Sequence, residues 1–264
     1  MISNRHRLSN KQWAALGPII IAEKSKIERR GRKIPDLRAF IDALLWIGKT
    51  GAPWRELPQE MGKWRTVHNR WFAWGARGIW KAIFKACSLH ADCSMIFMDS
   101  TVFKAHASAA GARKKKKGQD VAKKRERLGR SHGGLTSKLH ACASACGRLV
   151  DGFLSPGQAS DAGQAPKLLE LGLSRSPLAI CGDKAYDTNA ILSRCDALGV
   201  EAAIPSKSNR SCKRALDVQK YKRRNLVERL FQRLKQARRV CFRFDKKAHA
   251  FLSWIWLFAA LDWL

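Results

Sequence analysis

From Ser94 onward the chain alternates short β-rich apolar runs with stretches of helical period, and that alternation restricts it to a layered α/β arrangement rather than a helical bundle. The runs are SMIFMDSTVF, then GLTSKLHACAS and RLVDGFLS, then PLAICGD and EAAIP. The second and third are separated by Ala145-Cys146-Gly147 and read as a hairpin. A helix AGQAPKLLELGL follows, with Asp161 as its expected cap, then a helix around NAILSRCDALG, one from Tyr221 to Arg239, and an apolar terminal helix. The expected order is three strands, helix, strand, helix, strand, helix, helix.

Upstream, from about Ser9 to Cys87, the chain reads as helical and Trp-rich, broken at Gly17-Pro18, Pro35, Gly51-Ala52-Pro53 and Pro58. Asp36 can cap LRAFIDALLWIG, and a following helix carries Arg65, His68, Asn69 and Arg70, a pattern compatible with a helix-turn-helix. The alternative is a small helical bundle whose basic face is merely solvated. Gly48-Lys49-Thr50 is no phosphate loop, because the upstream glycine is missing and a helix precedes it. The expected domains are a helical, DNA-binding domain over 1–92 and an α/β domain over 93–264. The latter carries a basic loop, 104–133, that is either solvated or ordered along phosphates. No internal repeat is visible.

Charge narrows the partner. The formal net charge is +30, from 51 Lys and Arg against 21 Asp and Glu, which points to a polyanion and most simply to nucleic acid. A 45% hydrophobic content with 10 Trp supports a substantial core and excludes a disordered basic tail. The eight Cys show no C-x2-C pair; even Cys142, Cys146 and His140 lack a fourth ligand, so reduced thiols are expected. MISNRHRLSNKQW has no apolar core of a signal peptide, and FLSWIWLFAALDWL is too short to span a membrane. A cytoplasmic, nucleoid-associated protein is expected, with no membrane partner and no small-molecule substrate.

The segment YKRRNLVERLFQRLKQARR carries the chemistry. At about 100° per residue, Tyr221, Arg224, Glu228 and Lys235 fall within roughly 60° on a helix, apart from Leu226, Val227, Leu230, Phe231 and Leu234. A carboxylate among cations suits an enzyme that holds a metal beside a phosphodiester backbone. Two other carboxylates stand out by position. Asp99 interrupts an apolar strand, where a charge must find an edge, a partner or a metal, and Asp183 follows the LAICG run at a strand's carboxyl end. Together the three would form a hard-oxygen site for two Mg²⁺ ions, with Mn²⁺ able to substitute. Each also has a plainer reading: Asp99 as a cap or salt-bridge partner, Asp183 as a loop residue, Glu228 as an i,i+4 partner of Arg224 or Gln232.

The element order matches the ribonuclease H-like fold of polynucleotidyl transferases. The DST of the first strand, GGLTSKLHA, PGQASD, DKAYD and the spacing Y-x2-R-x3-E-x6-K, followed by RFDK, resemble DDE transposases of bacterial insertion sequences, closest to the insertion sequence five family. GAPWRELP and KWRTVHNRW resemble that family's N-terminal domain, so nearly the whole chain is covered. The resemblance implies a ribonuclease H-like mixed sheet with flanking helices, preceded by a small helical domain. It implies that Asp99, Asp183 and Glu228 are the catalytic, metal-binding triad, and that Tyr221, Arg224 and Lys235 engage the transposon end. Arg239, Lys184, Arg65 and Arg70 are expected as further DNA contacts, on double-stranded DNA at transposon ends and target, with a homodimer on DNA. The rival readings are a catalytically silent DNA-binding regulator and a structure-selective nuclease of the same fold. The short stretch between Asp183 and Glu228 leaves no room for the inserted β-domain of some related transposases.

Overall fold

The structure is a computed structural model that describes residues 6–27, 36–110, 126–131 and 133–264. Most of the expected basic loop lies outside the described residues. The described residues form two compact units: one holds those up to Leu89, 106–110 and Leu234–Leu264, the other His90–Ala105 and 126–233. The terminal stretch thus clusters with the N-terminal helices and departs from the single boundary expected at 92/93.

In the helical unit, Asn10–Ile27 is one helix that runs through Pro18 instead of breaking there. Leu16, Gly17 and Ile20 are buried along it, and this packing outweighs the hydrogen bond that proline removes. Helix Leu37–Thr50 begins where the Asp36 side chain accepts the Ala39 N–H, and ends at Gly51, whose φ of 73° is the left-handed conformation glycine tolerates. Its apolar stripe includes Phe40, Ile41, Leu44 and Ile47, all buried. The next helix, Trp64–Ala76, follows a connection of two short 3₁₀ turns at Trp54–Glu56 and Gln59–Met61. That is longer than the three or four residues of a helix-turn-helix, so the expected motif is not formed by this pair. Helix Ile79–Cys87 follows directly after Arg77-Gly78. The terminal helix Ala248–Asp262 is buried on nearly every side, and its Trp254 stacks on Trp71 with ring centroids 3.9 Å apart. Among the described residues no helix is long and apolar enough to cross a membrane.

The other unit is built on a mixed sheet of β1 (Met95–Ala105), β2 (Gly129–Ser131), β3 (Gly134–Ala143), β4 (Leu149–Pro156), β5 (Ala179–Cys181) and β6 (Glu201–Ala203). β1 lies between β3, antiparallel with Asp99 opposite Ala141, and β5, parallel with Ile96 opposite Ile180. β6 extends the parallel side and β4 pairs antiparallel with β3. The path β2-β3-β1-β5-β6, with β4 also paired to β3, gives the mixed sheet expected from the sequence. The hairpin turns at Gly147, with φ 73°. The helix Asp161–Leu173 is capped by Ser160, whose hydroxyl accepts the Gly163 N–H, one residue before the expected cap. None of the eight Cys is in a disulfide, and the Cys142 thiol donates to the Leu168 carbonyl.

The expected Tyr221–Arg239 helix is three pieces: Val218–Lys222, Asn225–Lys235 and Arg238–Cys241. Around the first break the amides of Arg223, Arg224, Leu226 and Val227 all bond three residues back, tightening the backbone out of α geometry. Lys220, Lys222, Arg223 and Arg224 crowd like charges into that turn, which disfavours a continuous helix.

Candidate active site

Asp99 sits on the central strand with its side chain only 17% exposed. A carboxylate there is expensive, and the chain answers with two contacts. The Ser100 N–H donates to Oδ1 at 2.7 Å, and Arg224 Nη1 donates to Oδ2 at 2.8 Å. The same guanidinium donates through Nη2 to Glu228 Oε1 at 2.6 Å. The i,i+4 pairing that spacing allowed for Glu228 is therefore formed, and it is one arm of a three-residue bridge.

The Glu228 helix is held by its cationic neighbours. Arg223 donates to the Ala145 carbonyl at 3.0 Å and Arg233 to the Gly147 carbonyl at 2.7 Å, fastening both ends of the segment to the β3–β4 turn. A Cβ at Gly147 would lie 2.9 Å from Leu226 Cβ, so the turn's glycine permits this approach as well as its backbone angle. Asp183 follows β5 and caps a short 3₁₀ turn, accepting the Ala185 N–H at 2.9 Å.

The electrostatics tie the three carboxylates together. Burial, with the Ser100 amide and Arg224 opposing it and Asp183 and Glu228 adding repulsion, pushes the Asp99 carboxyl up to about 6. Burial works against the Arg224 charge, but Asp99 and Glu228 more than offset it, so the guanidinium is held above its ordinary value. Among the described residues no three His, Cys, Asp or Glu side chains close around a common point. Arg224 stands between Asp99 and Glu228. The donor set, hard carboxylate oxygens whose mutual repulsion one cation already relieves, nevertheless fits a divalent ion such as Mg²⁺.

A fourth carboxylate lies beside them. Asp161 Oδ1 accepts from Ser100 Oγ at 2.7 Å and from Lys138 Nζ at 3.2 Å. His140 Nδ1 is 3.7 Å from the same oxygen, beyond hydrogen-bond range, while its Nε2 meets Ser155 Oγ at 2.8 Å. Burial holds His140 down at about 4, so it is neutral near pH 7 and no ion pair forms with Asp161. Tyr186 is 1% exposed with its hydroxyl lacking a partner among the described residues, and burial together with Asp99, Asp161 and Asp183 raises its pKa far above the ordinary tyrosine value. Spacing marks Asp161 only as a helix cap, and the resemblance puts Gly133, Gly134, Ser137, Lys138 and His140 in the neighbourhood of the site without a definite role; PGQASD and GGLTSKLHA were the available signals.

The expected DNA contacts divide. Tyr221 lies half-buried in Val218–Lys222, Arg224 in the carboxylate bridge, and Lys184 exposed beside Asp183. Lys235, seven residues beyond Glu228 on its helix, is half-buried, and burial pulls its amine below the ordinary value. Arg65 and Arg70 belong to the helical unit, their guanidinium groups over the rings of Trp64 and Phe40. Arg239 is 5% exposed, donates to the Ala52 carbonyl and lies over Trp54 and Phe244. It is not the open cationic contact expected from its charge, because three partners of its own unit enclose it.

Known proteins align with this arrangement. Residues 92–263 match a model described as "Transposase DDE domain", and residues 8–84 one described as "Putative transposase of IS4/5 family". A 131-residue stretch, 49% of this chain, is 33% identical to 99% of the "Putative transposase for insertion sequence element IS6501" of Brucella ovis. An 82-residue stretch, 31% of the chain, is 39% identical to 66% of "Uncharacterized protein y4sN" of Sinorhizobium fredii. A 117-residue stretch, 41% of the chain, is 27% identical to 77% of the "Insertion element IS402 uncharacterized 16.2 kDa protein" of Burkholderia cepacia. With the DDE model covering well over half its length, the chain belongs to the DDE transposases of bacterial insertion sequences.

Proposed function

We propose that this chain binds the terminal inverted repeats of its own element, cleaves the DNA there and joins the freed 3′-hydroxyls to a target. The observation that carries the reading is the Arg224 bridge, which leaves Asp99 largely buried and repelled by Asp183 and Glu228 with one cation between it and Glu228. Asp99, Asp183 and Glu228 would hold two Mg²⁺ ions, or Mn²⁺ in their place. Such ions supply activation of the attacking water or 3′-hydroxyl and stabilisation of the leaving oxygen at phosphorus.

The chain's own residues do the rest. Arg224 keeps Asp99 ionised in the free enzyme, and with Tyr221 and Lys184 it offers donors to phosphate oxygens beside the carboxylates. Asp161, tied to Ser100 and Lys138, fixes the strand next to Asp99. Synapsis of two ends calls for at least a dimer on double-stranded DNA.

The test is cleavage and strand transfer in vitro on the element's own ends with Mg²⁺. Asp99→Asn, Asp183→Asn and Glu228→Gln should each abolish both steps while end binding survives. Full cleavage in these variants sinks the triad. Cleavage without joining identifies a nuclease, and end binding by the wild type with no metal-dependent chemistry identifies a regulator.

A further inference from the structure

A cavity of about 480 Å³ in the sheet unit lies in the loops that follow β5 and β6, and the proposed chemistry does not use it. Lys207, Asn209, Arg210 and Ser211 line it from the loop after β6, and Thr188 and Asn189 from the start of helix Asn189–Asp196. Among the described residues no aliphatic or aromatic side chain lines it, so it asks for a polar ligand. Asp187 is also in the lining; its side chain is 0% exposed and accepts from the Lys207 N–H at 2.8 Å, Arg210 Nε at 2.8 Å and Arg214 Nη1 at 3.1 Å. Its charge is therefore offset inside the protein, and Lys207, Arg210 and Arg214 outnumber it. Arg210 is held firmly. Its Nε on Asp187 and its Nη1 on Asn189 Oδ1, at 2.8 Å, fix the guanidinium plane and leave Nη2 without a partner among the described residues. Lys207 meets Asp187 through its backbone, so its amine is left for a ligand. A fixed guanidinium edge and an amine, beside amide and hydroxyl donors, suit phosphate oxygens, and the N-terminal end of a helix adds a favourable field. Asp183 and Asp187 flank the same 3₁₀ turn, Lys184–Tyr186, which ties the pocket to a proposed metal ligand.

We propose that this pocket holds the terminal 5′-phosphate of a cut DNA strand. A phosphodiester within a strand carries one negative charge, whereas a terminal phosphate carries up to two and offers three acceptor oxygens. The excess of cations and the several donors match the terminal group better. The proposed cleavage makes such a group: the oxygen of water bonds to phosphorus as the bond from phosphorus to the 3′-oxygen breaks. The 3′-oxygen leaves as a hydroxyl with one of the water's protons, and a 5′-phosphate stays on the other strand end. The proposal rests on the cutting activity above and adds a place where one product end is held.

The probe is a duplex that stops at the element's terminus and carries there a 5′-phosphate, a 5′-hydroxyl, or a 3′-phosphate on the complementary strand. Binding is measured in EDTA, so that nothing is cut. Wild-type protein should hold the 5′-phosphate about 10- to 100-fold more tightly than the 5′-hydroxyl. The 3′-phosphate brings the same charge to the same terminus and should bind as the 5′-hydroxyl does. Lys207→Gln keeps the backbone bond to Asp187 and should melt as the wild type does. It should cut the preference to less than about threefold while changing 5′-hydroxyl affinity by less than about twofold. Equal binding of 5′-phosphate and 5′-hydroxyl, the same gain from the 3′-phosphate, or a full preference in Lys207→Gln would each overturn the pocket. So would dTMP or inorganic phosphate binding as tightly as the strand end, since the ligand would then be a free anion. If Lys207→Gln lowers the melting temperature, Asn209→Ala with Ser211→Ala serves instead, and an unchanged preference there counts against the pocket. Ends bound without any 5′-phosphate preference refute the pocket alone, whereas no DNA binding at all refutes the transposase reading beneath it.

Discussion

Replacing Arg224 by Met keeps most of the side-chain stem and removes the one cation bonded to both Asp99 and Glu228. Truncating one partner of a fully buried pair costs about 3–5 kcal/mol. Here Arg224 is 23% and Asp99 17% exposed, so solvent screens part of that and about 2 kcal/mol is expected at pH 8. Glu228 is 51% exposed and adds little. The pH dependence identifies the source. Asp99 has its folded pKa raised from 3.8 to about 6, so the folded state keeps its proton longer, and stability falls as pH rises through that window. Without Arg224 the folded pKa moves higher still, and the variant's deficit widens from pH 5, where Asp99 is neutral in both proteins, to pH 8. Urea unfolding at the two pH values should give a deficit below about 1 kcal/mol at pH 5 and the full effect at pH 8. Mg²⁺ should recover more stability in the variant than in the wild type, because a cation binding the folded state then meets the same carboxylates without competition. A deficit equal at both pH values, or one indifferent to Mg²⁺, would refute this account of the bridge.

Other outcomes can be checked separately. Burial alone would raise Asp187, but Arg210, the Lys207 amide and Arg214 hold its carboxyl at about 2. Asp187→Asn should cost about 2 kcal/mol at pH 7, and because a depressed group loses its contribution as pH falls from about 4 towards 2, the difference from wild type should vanish near pH 2 in acid-unfolding curves. Gly48→Ala would put Cβ 2.7 Å from the Phe258 ring and 3.1 Å from Trp254; the overpacking should outweigh the helix-propensity gain and lower stability by about 1–2 kcal/mol in thermal melts. Tyr186→Phe removes a buried hydroxyl without a partner, so it should leave stability unchanged or raise it by up to about 1 kcal/mol; a clear loss would reveal a hidden acceptor.

The strands and their order were legible because each β-rich run is bounded by turn residues and because Gly147 marks the hairpin. Asp183 and Asp99 were legible as candidates for the related reason that a carboxylate at a strand end or inside an apolar run stands against its local background. Periodicity measures only angle along one helix, so it placed Tyr221, Arg224 and Glu228 on a single stripe and missed the break at Arg223-Arg224. It is equally blind to what lies opposite. Arg224 meets Asp99 across 125 residues, and Arg239 meets the Ala52 carbonyl across 187. Both cations look alike in the sequence, and both looked like DNA contacts. One neutralises a half-buried carboxylate and the other lies over two aromatic rings, so sign of charge predicts exposure only where no distant partner offsets the cost of burial. The same reasoning explains Asp161: an expected cap by its position on the helix, it comes beside the candidate site only because β1 and β3 bring Ser100 and Lys138 to it.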